Sequence, residues 1–142
     1  MSDWFEKEQL HFAADEGDLD KVKALIKEGY DVNAFDEGMD FTPLHYAVRA
    51  ENIKVSEYLL SAGANINAHK PEKAGETPLG DVAATCSYEM AEFLINSGAN
   101  PTIPAWMQIT ALDRAKERKK EEGQRVYNLL LQAAKNKFNH VA

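Results

Sequence analysis

A chain of 142 residues with 44% hydrophobic and 27% charged side chains has the size and balance of one folded domain with a substantial core. Its formal net charge of −7 argues against general binding to nucleic acid or to anionic membranes, since both surfaces are themselves negative. No apolar run approaches the ~20 residues that cross a bilayer; the acidic start MSDWFEKEQL is unlike a signal peptide; and Cys86, the lone cysteine, can form no internal disulfide, which agrees with a reducing cytoplasm.

The charge is graded along the chain. Residues 1–40 carry 12 acidic and 4 basic side chains, residues 41–112 carry 7 and 4, and residues 113–142 carry 4 and 8. The basic end is expected to be a solvated helix face rather than a phosphate site.

In chain order, residues 5–16 read as a helix with Leu10, Ala13 and Ala14 as its apolar stripe, broken at Gly17-Asp18. Asp18 is placed to cap a second helix that reaches about Glu28 and buries Leu19, Val22, Leu25 and Ile26. Gly29 suits a left-handed turn, after which Asp31-Val32-Asn33 reads as extended. Thr42-Pro43 starts the next helix, with threonine as cap and proline at the first helical position, where its missing N–H costs nothing. Leu44, Ala47 and Val48 form its stripe; Asn52 caps a partner helix carrying Val55, Tyr58, Leu59 and Leu60, which Gly63 ends.

The plan then repeats. Thr77 stands 35 residues after Thr42, and Gly98 stands 35 residues after Gly63. Leu79, Val82 and Ala83 form the third inner stripe, Ser87 caps the following helix, and Met90, Phe93, Leu94 and Ile95 form its apolar face. A fourth unit opens at Thr110-Ala111-Leu112, passes a connecting stretch at residues 119–123, and closes on Val126, Leu129, Leu130 and Leu131. The polar tail from Ala133 is expected to fray. A period near 34 residues with two short helices per unit means a stacked solenoid, because neither helix pair can bury its stripe alone.

The motifs carry a family resemblance. Thr42-Pro43-Leu44-His45-Tyr46-Ala47 resembles the T-P-L-H-x-A signature of ankyrin repeats. Leu59-Leu60-Ser61-Ala62-Gly63-Ala64-Asn65-Ile66-Asn67 is similar to the family's repeat ending, echoed at residues 25–33 and 94–100. The resemblance covers nearly the whole chain. It implies an all-α ankyrin-repeat solenoid of about four helix-turn-helix repeats linked by β-hairpin-like fingers. The single domain then divides at roughly 5–38, 39–73, 74–107 and 108–142. The third repeat departs from the pattern, with Gly80-Asp81 in place of His45-Tyr46, so a looser loop is expected there. The fingers leaving Asn33 and Asn67 are longer than the one leaving Thr102.

Candidate chemistry is sparse. Of His11, His45, His69 and His140, the first two occupy the same repeat position and are expected to form structural hydrogen bonds. Cys86 lacks a paired histidine signature, no Cys/His cluster has zinc spacing, and no glycine-rich loop resembles a phosphate cradle. No catalytic, metal-binding or cofactor-binding residues are therefore assigned.

What the resemblance implies is recognition of another protein by finger tips and the exposed side of the first helices. At the fingers, the matching positions are Phe35, Asp36, Met39 and Phe41, then His69, Lys70 and Glu72, then Trp106 and Met107. On the first helices they are Asp15 and Glu16, Tyr46, Arg49 and Ala50, Asp81, Ala84 and Thr85, and Glu117. Asp15, Glu16, Asp36, Glu37 and Asp40 form an acidic rim suited to steering a basic partner. The function expected is a cytoplasmic, non-enzymatic protein-binding module, monomeric in isolation, in its sharper form an inhibitor of a basic partner. The alternative is an assembly subunit that self-associates through its ends, where Trp4, Phe5, Tyr127 and Phe138 lie. An enzyme is the third and weakest reading.

Overall fold

Most helix starts in this chain are local chemistry, and the stack follows from them. The computed structural model describes residues 3–139, with side chains from Phe5 onward; the Trp4 side chain and His140 lie outside the described part. Nine α-helices are present among the described residues: α1 Asp3–Lys7, α2 Gln9–Glu16, α3 Leu19–Lys27, α4 Pro43–Arg49, α5 Ile53–Ser61, α6 Pro78–Val82, α7 Tyr88–Asn96, α8 Ala111–Lys116 and α9 Glu121–Lys137. Asp18 accepts Lys21 N–H at 3.1 Å, Asn52 accepts Val55 N–H at 2.9 Å, and Ser87 accepts Met90 N–H at 3.0 Å, so the second helices α3, α5 and α7 begin on the expected cap, whereas Lys120 ahead of α9 supplies no side-chain cap.

From α2 onward there are two helices per repeat, α2/α3, α4/α5, α6/α7 and α8/α9, and α2 packs on α3, α4 on α5 and α8 on α9. The first helices stack in series, α2 on α4, α4 on α6 and α6 on α8, while α3 lies against α5 and α7 against α9. One continuous core runs through them, including Leu10, Val22, Leu44, Leu59, Leu79, Met90, Leu94 and Leu130. The molecule is an all-α repeat solenoid, as the periodicity implies.

A polar ladder runs beside the core. Asn33 donates from Nδ2 to Gly63 O at 3.0 Å and accepts Asn65 N–H at 2.8 Å. Asn67 repeats both bonds one unit on, to Gly98 O at 3.3 Å and from Asn100 N at 2.8 Å. The expected extended segment at residues 31–33 is instead an Asx turn, with Asn33 N–H on Asp31 Oδ1 at 2.8 Å.

Helix α6 is only five residues long, with the helix-weakening Gly80 at its centre. Local detail departs from expectation in three further places. Gly123 is not in the connection: it is buried within the first turn of α9, where a Cβ would lie 2.4 Å from Arg118 Cβ. Arg118 thereby crosses the helix and donates from Nη1 to Cys86 O at 2.9 Å. The C-terminal helix also continues to Lys137, held by buried Ala133 and Ala134. Among the described residues no β-strand is assigned, so the fingers are turns rather than strand pairs, held by bonds such as Asp36 N–H to Phe41 O at 2.8 Å and Ala105 N–H to Ile109 O at 2.9 Å.

The turn between α2 and α3 yields a prediction. Gly17 has φ +74°, and a Cβ there would sit 2.6 Å from Asn52 Nδ2. Gly17→Ala therefore strains the backbone and pushes away the residue that caps α5. It is expected to cost about 1.5 kcal/mol, read as a lower urea midpoint.

Candidate protein-binding face

The first helices and the fingers form one face, and the side chains along it divide into those locked into the fold and those left open. Asp36 is 5% exposed. Its Oδ1 accepts Met39 N–H and Phe41 N–H, both at 3.0 Å, and its Oδ2 accepts the Tyr46 hydroxyl. It thus holds the first finger closed and is not an open member of the acidic rim. Burial and this bond push the Tyr46 hydroxyl well above its ordinary pKa. Phe41, also 5% exposed, folds inward and stacks on His45 with ring centroids 4.7 Å apart and planes 6° apart. The Arg49 guanidinium covers it at 5.3 Å.

His45 is the hub of this region. Its Nε2 lies 2.7 Å from Glu76 O, and a carbonyl can only accept, so Nε2 carries the proton. Nδ1 is then the acceptor, taking Thr42 N–H at 3.0 Å and the Thr42 hydroxyl at 2.8 Å. Burial pushes its pKa down to about 4, so the ring is neutral. Thr42 turns to the histidine, whereas Thr77, with Gly80 in that position, accepts Gly80 N–H at 2.9 Å and caps its own helix.

The missing third histidine is compensated. Glu76 Oε1 fills the space beside Gly80, where a Cβ would meet it at 2.6 Å, and Glu76 Oε2 accepts Arg114 from the next repeat. A side-chain ion pair replaces the imidazole as the tie between units; at partial exposure it is worth about 1 kcal/mol or less. The loop is therefore tied rather than loose. Asp81, expected to face a partner, is partly buried and paired with Arg49 at 3.2 Å.

The first two fingers are also pinned. Asp40 lies 3.0 Å from Lys70 Nζ and 3.6 Å from Lys73 Nζ, and its bond to Lys70 holds the carboxyl below its ordinary pKa. Lys70 Nζ sits 5.1 Å from the Phe35 ring centroid. His69 Nδ1 bonds Asn67 O at 2.8 Å, and His69, Phe35 and Lys70 are half-buried.

What remains open is specific. Asp15, Glu16, Glu72 and Thr85 are exposed, and Arg49, although paired with Asp81, keeps 46% of its side chain exposed. Met39 is 55%, Trp106 67% and Met107 69% exposed, all at finger tips. Met107 and Gln108 both hold left-handed backbone, at φ +58° and +62°, a conformation that costs a non-glycine residue energy. A cleft of about 440 Å³ lies beside Met39, lined also by Glu8, Asp36, Glu37 and Tyr46. Glu8 had no place among the sequence candidates; the signal for it was that a carboxylate stands three residues before His11, where Thr42 precedes His45.

Cys86 is buried, and burial pushes its thiol up to about 11, which leaves no thiolate at neutral pH. No described helix is long and apolar enough to cross a membrane.

A family model described as ankyrin repeats (3 copies) matches residues 8–105. Among curated proteins, the chain is 33% identical over 100 residues to a putative ankyrin repeat protein of Rickettsia felis, covering 70% of this chain and 33% of that one. It is 37% identical over 91 residues to the ankyrin repeat and KH domain-containing protein mask-1 of Caenorhabditis elegans, covering 64% of this chain and 3% of that protein. It is also 39% identical over 66 residues to the 2-5A-dependent ribonuclease of Mus musculus, covering 46% and 9%. The matched region thus spans a third or less of each relative's length.

Proposed function

This chain belongs to the ankyrin-repeat family, and from that membership we propose that it binds a partner protein through the concave face of its first helices and its finger tips. Such repeats are interaction modules, and where relatives are enzymes by name the matched region is a small part of a much longer chain. The observation that carries the reading is the exposure of Met39, Trp106 and Met107 at the tips, with Met107 held in strained backbone. Large apolar side chains on turn tips are costly to leave in water and are enriched at interface centres.

In the sharper form of this proposal the partner is basic and is masked by binding. Asp15, Glu16 and Glu37 remain exposed to steer it; Asp36 and Asp40 are engaged within the fold. The protein then acts as a cytoplasmic monomer in isolation, with residues 108–142 as a fourth repeat. The test is capture of partners by wild type and by Met39→Ser/Trp106→Ser/Met107→Ser. The triple variant should keep its helical spectrum and lose about tenfold in affinity for each captured partner. Undiminished capture by a folded variant rules out the fingers as the binding surface.

A further inference from the structure

A pocket of about 510 Å³ lies between α1, the close of α3 and the base of the first finger. Its lining includes five carboxylates, Glu6, Glu8, Glu28, Asp31 and Glu37, against one lysine, Lys7. Tyr30 and Phe35 contribute aromatic walls, and His11 lines it from below.

His11 supplies an observation independent of the charge. The ring is 2% exposed, and its Nε2 lies 2.7 Å from Ala34 O, so Nε2 must donate. In the neutral ring Nδ1 is then an acceptor, and it is buried with no hydrogen-bond partner. In the next repeat the same atom of His45 takes Thr42 N–H and O–H. Glu8 occupies the threonine position here; its Oε2 is turned to Glu37 N–H at 3.1 Å, away from the ring. A buried acceptor without a donor costs about 1–3 kcal/mol, which a ligand's N–H would recover.

The asparagine ladder points to the same place. Gly63 O and Gly98 O each receive a side-chain N–H from the preceding repeat. Gly29 O is the equivalent group of the first repeat, and Gly29 lines the pocket. No described side chain donates to it.

The groups presented are therefore acceptors, carboxylate, imidazole nitrogen and carbonyl oxygen, beside two aromatic rings. We propose that this pocket receives the side chain of an arginine from a partner protein. A guanidinium offers five N–H donors in a planar fork, a full positive charge and a flat face that stacks on aromatic rings. A lysine ammonium offers one point of charge and no stacking plane, so arginine is the better fit. The inference rests on the reading of the chain as a protein-binding module, but it places the contact at the end of the stack rather than on the concave face.

The test needs no identified partner. Acetyl-arginine-amide, its neutral isostere acetyl-citrulline-amide and acetyl-lysine-amide are titrated into the full chain and followed by amide and histidine-ring nitrogen NMR. The arginine probe should give saturable shifts at Gly29, Tyr30, Asp31 and the His11 ring, with a dissociation constant on the order of millimolar, as expected for one side chain. The other two probes should bind about fivefold more weakly or less. Glu28→Gln/Glu37→Gln, two exposed positions, should weaken the arginine probe about fivefold at an unchanged urea midpoint. Absence of saturable shifts, citrulline or lysine binding as tightly as arginine, or an unaffected double variant would each overturn the proposal. Failure here leaves the finger-tip variant's capture result standing, so the two readings fall separately.

Discussion

Leu59→Ala is expected to destabilise the protein by about 3 kcal/mol, the largest single effect predicted from this structure. Leu59 is fully buried in α5, inside the one core cluster that runs through all four helix pairs. Truncation removes transfer free energy and leaves a cavity that a close-packed stack cannot fully collapse; buried Leu→Ala costs run about 2–5 kcal/mol. In a one-dimensional array such a loss is felt across both interfaces of an inner repeat. Against a typical total of about 5–15 kcal/mol this is a large share. With a denaturant slope of about 2 kcal/mol/M, the urea midpoint should fall by about 1.5 M. Leu129→Ala, half-buried near the end of the stack, should cost less than half as much. Equal losses at the two positions would contradict the picture of a core concentrated between inner repeats.

The second large effect is a loss of stability in mild acid that originates at His45. Its pKa is pushed down from 6.5 to about 4, first by burial, in the folded chain. As pH falls below about 6.5 the unfolded chain takes up a proton that the folded chain refuses, so stability is fully present above that pH and declines toward pH 4. Between pH 7 and pH 5 this amounts to about 2 kcal/mol. Glu76 and Asp81 act in the opposite sense, since burial raises their pKa values and the folded chain protonates them sooner. The His45→Gln variant isolates the histidine: it should be less stable at pH 7, having lost the bond to Glu76 O, yet show a flatter decline from pH 7 to pH 5. Parallel slopes for wild type and variant would show that His45 does not set the acid response.

The two sequence histidines that looked equivalent are not equivalent in three dimensions. His45 is satisfied at both ring nitrogens, while His11 is satisfied at one. The difference was written in the sequence as Glu8 against Thr42. Its consequence depended on where the Glu8 carboxylate goes, and that is decided by Glu37 on a finger 29 residues away. Gly80 follows the same logic. Alone it predicts a weak helix and a loose loop, and the helix is short; but Glu76 and Arg114 meet across the gap and retie the repeats.

The sequence by itself determined the period, the helix pairs, the caps at Asp18, Asn52 and Ser87, the turn at Gly17, the core residues and the family. These are set within a few residues along the chain, by backbone hydrogen-bond supply and by 3.6-residue periodicity, so they can be read locally. It also brought Met39, Trp106 and Met107 to the surface as candidates. Only the tertiary structure decided which candidates stay open. Asp36 and Phe41 turn inward because Tyr46 and His45 offer them a hydroxyl and a ring face. Asp40 and Asp81 are drawn into pairs by Lys70 and Arg49. Those partners are up to 32 residues away, and a side chain's destination depends on what the neighbouring repeat presents, not on its own place in the motif.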